Sequence, residues 1–447
     1  MEKYLLIKNA KLVNEGAIRE CDVLVKGERI DRIDDSISAP NGNCRVIDAN
    51  GKFLLPGVID DQVHFREPGL THKGDMASES AAAVAGGITS YIEQPNTVPQ
   101  ATTIEKLEEK YALAENRSFA NYGFNLGATN DNIEEILRAN DSRAAGVKAF
   151  MGSSTGNMLV NDLNALNRLF SESPLMIITH CEDEETIRRN TEAFRARNEE
   201  PKPEWHAQIR STEACVKSSQ LAMDLAKKHG SRLHIYHIST REEAEAFDNT
   251  LPLEKKMITS EACIHHLWFT DADYATKGNW IKWNPAVKTE DDRAGIWKAL
   301  LDDRIDVIAT DHAPHTREEK DKNLWESPSG GPLVQHALPA MFDFFDKGLI
   351  SLERIVEKMC HNPAILFGIK DRGYVREGYY ADLVLVHPST PWTVNSSNIL
   401  YKCGWSPFEG TNFKAKITHT LVNGELAYDN GRVTVKPHGK ALDFVRR

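Results

Sequence analysis

The feature that most constrains the fold is a regular alternation, through the middle of the chain, of short apolar segments with amphipathic ones. The amphipathic segments have helical spacing; in one of them Ile104, Leu107 and Tyr111 recur at i, i+3 and i+7. Such alternation is typical of repeated strand–helix units, whose strands form a parallel sheet. The eight apolar segments that are strand candidates are 54–64, 88–96, 121–128, 146–151, 174–180, 232–237, 255–261 and 305–310. Eight such units predict an α/β protein with a (β/α)8 barrel, and a doubly wound open sheet is the alternative.

The two ends of the chain have a different pattern. Residues 1–56 and 366–447 contain short apolar runs separated by turn residues, without a helical period. Two Asn-Gly pairs, Asn423-Gly424 and Asn430-Gly431, are strong hairpin signals. The predicted boundaries are therefore 57–365 for the barrel, with β-rich segments on either side. The polar stretch 188–206 is predicted to be a surface excursion between the fifth and sixth barrel strands.

Charge and cysteine content exclude several classes of function. The formal net charge of -11 argues against non-specific binding to nucleic acid or to an anionic membrane. No apolar stretch approaches the length of a membrane span, and the first residues lack the pattern of a signal peptide. The seven cysteines are scattered without a C-x-x-C pair, which favours a reducing cytoplasm and excludes a cysteine zinc site. We expect a soluble cytoplasmic protein.

Polar side chains follow or end several of the candidate strands. They are His64, Asn96, Lys148, His180, His237 and Asp311. In a (β/α)8 barrel the carboxyl ends of the strands meet at one rim, so these groups would converge. Each signal is weak alone, since a single histidine in a chain with 16 is more often structural. The stronger signal is that all of them fall at the same end of successive strands. Several imidazoles together with a carboxylate are a ligand set that suits zinc. The residues alone thus predict a metal-dependent hydrolase on a barrel.

Seven motifs along the chain resemble those of the dihydroorotase family, cyclic amidases of the amidohydrolase superfamily. They are DDQVHFREPG (60–69), QPNTVP (94–99), GVKAFMGSSTGN (146–157), THCEDE (179–184), YHISTREE (236–243), NPAVK (284–288) and ATDHAPHTREEK (309–320). The resemblance covers nearly the whole chain. It implies that 1–56 and 366–447 together form one small β-sandwich domain. It also implies reversible cyclisation of N-carbamoyl-L-aspartate to (S)-dihydroorotate, in pyrimidine biosynthesis.

The resemblance further implies a metal centre with one or two zinc ions per subunit. His64 and Asp311 would bind the more buried ion, and His180 and His237 the second. Lys148 would be carboxylated, so that its carbamate bridges both ions. Asp311 would take a proton from the attacking water and pass it to the leaving ring nitrogen. Homodimers are common among such relatives, so a homodimer is possible here.

The implied substrate carries a carboxylate, which the planar fork of Arg66 can hold bidentately. The alternative for Arg66 is a surface ion pair with Glu67. In the family, the positions of Asn96 and His315 share the carboxylate contact. The positions of Asn284, Ser329 and Gly330 contact the pyrimidine ring.

One position departs from the family pattern. The family has His-x-His at the end of the first strand, whereas this chain has Gln62 before His64. A glutamine oxygen is a weaker zinc ligand than imidazole. Three outcomes are open: Gln62 ligates weakly, a water fills the gap, or one ion does the work. Two other functions are also open. One is a different cyclic amidohydrolase of the allantoinase, hydantoinase or dihydropyrimidinase type, and the other is a non-catalytic scaffold for a pathway partner.

Overall fold

The structure is a computed structural model that describes residues 3–152, 158–434 and 436–446. Residues 153–157, in the Gly/Ser-rich segment after the fourth barrel strand, lie outside the described residues.

The strands, in chain order, are β1 (Tyr4–Asn14), β2 (Ala17–Lys26), β3 (Arg29–Asp34), β4 (Cys44–Asp48), β5 (Phe53–Pro56), β6 (Val58–Val63), β7 (Ile88–Glu93), β8 (Asn121–Phe124), β9 (Leu126–Gly127), β10 (Val147–Phe150), β11 (Ile177–His180), β12 (Leu233–Ile235), β13 (Ile258–Cys263), β14 (Val307–Ala309), β15 (Leu383–His387), β16 (Trp392–Thr393), β17 (Asn412–Phe413), β18 (Lys416–Val422), β19 (Glu425–Asp429) and β20 (Arg432–Val433). The α-helices are α1 (Met76–Ala85), α2 (Ile104–Ala114), α3 (Ile133–Leu137), α4 (Leu163–Glu172), α5 (Glu184–Arg195), α6 (Trp205–Ile209), α7 (Thr212–His229), α8 (Arg241–Glu245), α9 (Ile264–Trp268), α10 (Tyr274–Lys277), α11 (Glu290–Leu301), α12 (Arg317–Lys320), α13 (Ala337–Asp346), α14 (Leu352–Val356) and α15 (Asn362–Phe367).

Strands β6 to β14 form the predicted parallel barrel. Strands β6, β7 and β8 pair in one sheet, and β9 to β14 pair in chain order in another. One residue separates β8 from β9, so the two act as a single barrel strand, and a bridge between Val63 and His312 closes the ring. Almost every residue of these strands is buried, because helices cover the outside and side chains fill the inside. All eight strand candidates are present.

The two ends of the chain meet in one nine-stranded sheet. Its order is β20-β19-β18-β15-β5-β1-β2-β3, with β4 paired to β1. Ile30 of β3 and Leu426 of β19 lie near opposite ends of this order but pack in the same apolar cluster. The sheet therefore folds over its own core, as in a sandwich. The predicted architecture, a barrel with a β-sandwich built from both termini, is confirmed.

The helices begin and end where local chemistry predicts. Thr103 caps α2 by accepting a hydrogen bond from the Lys106 amide. Helix α7 ends at Gly230, whose φ of 67° lies in the left-handed region that glycine adopts at little cost. None of the described helices is both long and apolar enough to cross a lipid bilayer.

Candidate active site

All twelve site residues predicted from the sequence line one cavity of about 190 Å³. They are Gln62, His64, Arg66, Asn96, Lys148, His180, His237, Asn284, Asp311, His315, Ser329 and Gly330. Phe150, Trp283, Ala313 and Pro328 complete the lining. The strands explain this convergence: His180 is the last residue of β11, and His64, His237 and Asp311 follow β6, β12 and β14 within two residues.

Three of these residues, apart from Gly330, have a left-handed backbone. The φ angle is 70° at Arg66, 42° at His237 and 49° at Asp311. This conformation costs a non-glycine residue about 1–2 kcal/mol. It turns the chain sharply just beyond a strand and thereby aims each side chain into the cavity. Strain of this kind is concentrated at functional sites, where the surrounding fold holds it.

His64 and Asp311 face each other as two metal ligands would. The Nδ1–H of His64 donates to Asn96 Oδ1 at 2.7 Å, which leaves the lone pair of Nε2 directed at Asp311 Oδ1, 3.2 Å away. Burial lowers the pKa of His64, although the Asp311 carboxylate opposes this shift. A neutral imidazole and a carboxylate oxygen thus present lone pairs to each other, an arrangement that a cation between them stabilises.

His180 and His237 form a second pair. Nδ1 of His180 lies 2.9 Å from Nε2 of His237, and both rings are buried. Burial, followed by the neighbouring His180 ring and Lys148, holds the pKa of His237 well below its usual range. On its far side, Nε2 of His180 lies 3.0 Å from Glu182 Oε2, so a carboxylate flanks the ring opposite His237.

Glu182 is itself held by Arg210, with which it forms a buried ion pair. Burial alone would raise the pKa of Glu182, but the Arg210 guanidinium and the His180 ring lower it to about 2. Glu182 is therefore an anion that orients His180. Its role was missed from the sequence, although a carboxylate two residues after a metal-type histidine was a usable signal.

Lys148 lies on β10 with its side chain fully buried, and among the described residues its Nζ has no hydrogen-bond partner. The nitrogen is 4.0 Å from the centre of the Tyr236 ring. Burial lowers the pKa of this amine to about 7, against the opposing effect of Glu261 and Asp311. A neutral amine is the form that reacts with carbon dioxide, so the site suits carboxylation of Lys148. A divalent metal centre therefore fits this cavity, which presents the Lys148 amine together with the His64–Asp311 and His180–His237 pairs.

Arg66 is a buried cation that forms no ion pair with any carboxylate described in the structure. Its Nε donates to Pro314 O at 3.0 Å, and Nη2 lies 3.1 Å from Nε2 of His315. In the described part of the chain, no carboxylate oxygen lies within 4.0 Å of an Arg66 nitrogen, which is the limit for an ion pair. The surface pair with Glu67 is absent too, because Glu67 binds Arg117 at 2.7 Å. Burial lowers the pKa of Arg66 to about 10, so it remains charged at neutral pH.

Gln62 also reaches the cavity, and its Oε1 lies 3.6 Å from Cys263 Sγ. Burial raises the pKa of Cys263 well above its usual range, so this neighbour is a thiol rather than a thiolate. Whether Gln62 binds a metal stays a prediction.

Comparison with known proteins agrees with this geometry. A sequence model of the amidohydrolase family matches residues 53–427. The chain is 34% identical over 433 residues to a dihydroorotase of Halobacterium salinarum, covering 96% of this chain and 97% of that protein. It is 32% identical to a dihydroorotase of Pyrococcus furiosus, covering 99% of this chain and 92% of that protein.

The chain belongs to the amidohydrolase family.

Among solved structures, the L-hydantoinase (dihydropyrimidinase) of Arthrobacter aurescens superposes on this amidohydrolase with a TM-score of 0.92. The two share 29% identity, and the alignment covers 99% of this chain and 100% of the hydantoinase. These similarities confirm the fold and the prediction of a cyclic amide hydrolase.

The structure of this amidohydrolase adds residues that sequence reasoning did not assign to the site. Lys73 Nζ lies 3.0 Å from Nδ1 of His315 and 2.9 Å from Glu319 Oε1. Lys73 and Arg66 thus flank the His315 ring. Burial, followed by the Arg66 charge, holds the pKa of His315 well below its usual range, so the ring is neutral. No sequence signal identified Lys73, which follows the REPG motif in an irregular segment.

A second group of residues that could hold a metal ion lies outside the cavity lining. Asp61, His234 and Glu261 are all buried, and their ligand atoms lie within 4.8 Å of one another. None of the three was predicted as a site residue.

Proposed function

We propose that this amidohydrolase is a dihydroorotase, which interconverts N-carbamoyl-L-aspartate and (S)-dihydroorotate in pyrimidine biosynthesis. The observation that carries the proposal is Arg66, a buried arginine in the cavity that forms no ion pair with a carboxylate of the described residues. A buried cation without a counter-ion is costly, and a substrate carboxylate would neutralise it with two parallel hydrogen bonds. Hydantoin and dihydropyrimidine rings lack that carboxylate. The dihydroorotases of Halobacterium salinarum and Pyrococcus furiosus, similar over nearly their full lengths, support the same assignment.

We propose that His64, His180, His237, Asp311 and a carboxylated Lys148 hold one or two zinc ions. Such ions would polarise the substrate carbonyl and lower the pKa of a bound water toward neutrality. In forming the carbamate, the neutral Lys148 amine bonds to the carbon of carbon dioxide and releases one proton. The product is an anion with two oxygens, whereas an ammonium would be repelled by the metal.

The remaining steps belong to the chain's own residues. Arg66 and His315 hold the substrate carboxylate, while Asn284 and the backbone at Ser329 and Gly330 contact the ring. Asp311 accepts a proton from the water that attacks the ring carbonyl. As the C–N bond breaks, Asp311 returns that proton to the departing nitrogen, which gives N-carbamoyl-L-aspartate. Ring closure is the reverse, with loss of one water.

The test is an assay of the purified protein with N-carbamoyl-L-aspartate, followed by the absorbance of the ring product, after loading with zinc, cobalt or manganese. We expect ring formation with at least one metal. Absence of turnover with all three metals would favour the scaffold alternative. Turnover of hydantoin or dihydrouracil without turnover of dihydroorotate would favour the other cyclic amidohydrolases.

A further inference from the structure

A cluster of three buried side chains, Asp61, His234 and Glu261, lies inside the barrel but does not line the active-site cavity. Asp61 belongs to β6, His234 to β12 and Glu261 to β13. Each side chain is completely inaccessible to solvent. We call these three residues the inner cluster.

The hydrogen bonds of His234 leave one ring nitrogen free to bind a ligand. The Thr259 hydroxyl donates to the Leu233 carbonyl at 3.2 Å, so the same oxygen accepts from Nδ1–H of His234 at 2.8 Å. Because Nδ1 carries the proton in this tautomer, Nε2 keeps its lone pair. A hydrogen bond on the far nitrogen is how metal-binding histidines are oriented in proteins.

That lone pair is directed toward oxygens that also lack partners. Nε2 of His234 lies 3.4 Å from Asp61 Oδ2 and 4.0 Å from Glu261 Oε2. Neither oxygen of Asp61, nor Oε2 of Glu261, nor Nε2 of His234 has a hydrogen-bond partner in the described structure. The other oxygen of Glu261 is used, since Oε1 accepts from the His237 amide and the Cys263 thiol, both at 3.2 Å. Glu261 is thereby held with Oε2 toward the centre of the cluster.

No side-chain cation balances these carboxylates at close range. Within the described ranges no lysine or arginine nitrogen forms an ion pair with Asp61 or Glu261. The oxygens of Asp61 and Glu261 and Nε2 of His234 therefore direct their lone pairs at one another inside the barrel. Buried charges in proteins are paired or coordinate metals, because an uncompensated one is strongly destabilising.

The separations fit a metal ion. Zinc binds nitrogen and oxygen at about 2.0–2.2 Å, so two ligand atoms of a tetrahedral site lie roughly 3.4 Å apart. The His234–Asp61 distance of 3.4 Å matches this value. The His234–Glu261 distance is 4.0 Å and the three ligand atoms lie within 4.8 Å of one another, so binding requires an inward shift of the carboxylates. One imidazole with two carboxylates suits a divalent ion of the zinc or manganese class.

We propose that the inner cluster binds one such divalent ion, in addition to any metal in the active-site cavity. The ion ties β6 to β12 and β13 across the interior of the barrel. It also fixes Glu261, whose Oε1 accepts from the backbone of His237, so it supports the floor of the active site. Being sealed from solvent, this ion exchanges more slowly than metal in the cavity.

The direct test is crystallography of the wild-type holoprotein grown with zinc. Anomalous difference maps are calculated above and below the zinc absorption edge. We expect a peak bonded to His234 Nε2 and to one oxygen each of Asp61 and Glu261. A map with metal in the cavity and no anomalous peak at the cluster would overturn the proposal and indicate a shared proton there. This measurement needs no variant and no activity, so its outcome is independent of the proposed dihydroorotase function.

Metal content by mass spectrometry gives a second test, with Glu261→Gln, His234→Gln and the matched control Glu243→Gln. Glu243 is another buried glutamate, but it binds Ser219 and Thr240, away from the cluster. We expect each cluster variant to lose one equivalent of metal that the control retains. Equal metal content in all folded variants and wild type would contradict the proposal. If the cluster variants fail to fold, the anomalous difference map of the wild-type protein alone tests the proposal.

Discussion

Replacing Arg66 with alanine tests the substrate assignment through a change in specificity. Arg66 is 7% exposed and forms no ion pair with a carboxylate in the described ranges, so a bound substrate carboxylate would be a desolvated, charge-assisted contact. Truncating one partner of such a contact costs about 2–5 kcal/mol. This corresponds to a loss of roughly 30-fold to 5,000-fold in kcat/KM at 1.36 kcal/mol per factor of ten.

The assay compares kcat/KM for dihydroorotate and for a ring without the carboxylate, such as dihydrouracil, in wild type and Arg66→Ala. We expect the loss for dihydroorotate alone. Arg117→Ala is the matched control, because Arg117 forms a half-exposed ion pair with Glu67 and does not line the cavity. Because Arg117 lies outside the cavity and contacts no predicted substrate group, the control should change kcat/KM by less than about fivefold. If Arg66→Ala kept wild-type kcat/KM for dihydroorotate while remaining folded, the reasoning from the unpaired guanidinium would be refuted.

Three further predictions concern the metal ligands and their supports. Gln62→His should raise the metal retained after mild chelation, because imidazole is the stronger zinc ligand; unchanged retention would mean that Gln62 does not contribute to the site. Lys148→Ala should abolish a carbamate signal in 13C NMR after incubation with labelled bicarbonate and should lower the metal content; a signal that persists in the variant would place the carbamate elsewhere. Glu182→Gln should lower the free energy of unfolding by about 3–5 kcal/mol at pH 7, because it removes the carboxylate charge from a buried ion pair with Arg210. The folded pKa of Glu182, about 2, is below its ordinary value, so its stabilising contribution is present above pH 4.5 and is lost as pH falls toward 2. Denaturant unfolding at several pH values should show this acid-dependent loss in wild type and less of it in the variant.

The sequence predicted the barrel and the cavity lining for a clear physical reason. Strands that are buried on both faces are recognisable in a sequence as short apolar runs. Because parallel strands place their carboxyl ends at one rim, the convergence of residues such as His180 and Asp311 could be predicted from the sequence. The orientation of side chains within a strand could not be predicted in the same way. Strand β6 has register irregularities at Val58/Ile59 and between Asp60 and Val63, which break the simple alternation of faces. Asp61 was therefore not recognised as an inward-facing ligand candidate.

Contacts between side chains that are distant in the chain could not be predicted from the sequence either. The roles of Glu182 and Lys73 depend on Arg210 and His315, which are distant in the chain. The surface excursion predicted for 188–206 is only partly correct. Helix α5 continues to Arg195, and Trp205 of α6 is buried against Phe194, with ring centres 5.2 Å apart. A tryptophan within a polar stretch was the signal that the segment packs on the protein.

The proposed function requires that the cavity recognise a cyclic amide bearing a carboxylate. Its most direct test is the ratio of kcat/KM for dihydroorotate to that for hydantoin, measured on one metal-loaded preparation. We expect a ratio of at least about 30, the lower bound for a desolvated charge-assisted contact. A ratio near or below one would contradict it, and the function would then lie with the cyclic amidohydrolases whose substrates carry no carboxylate.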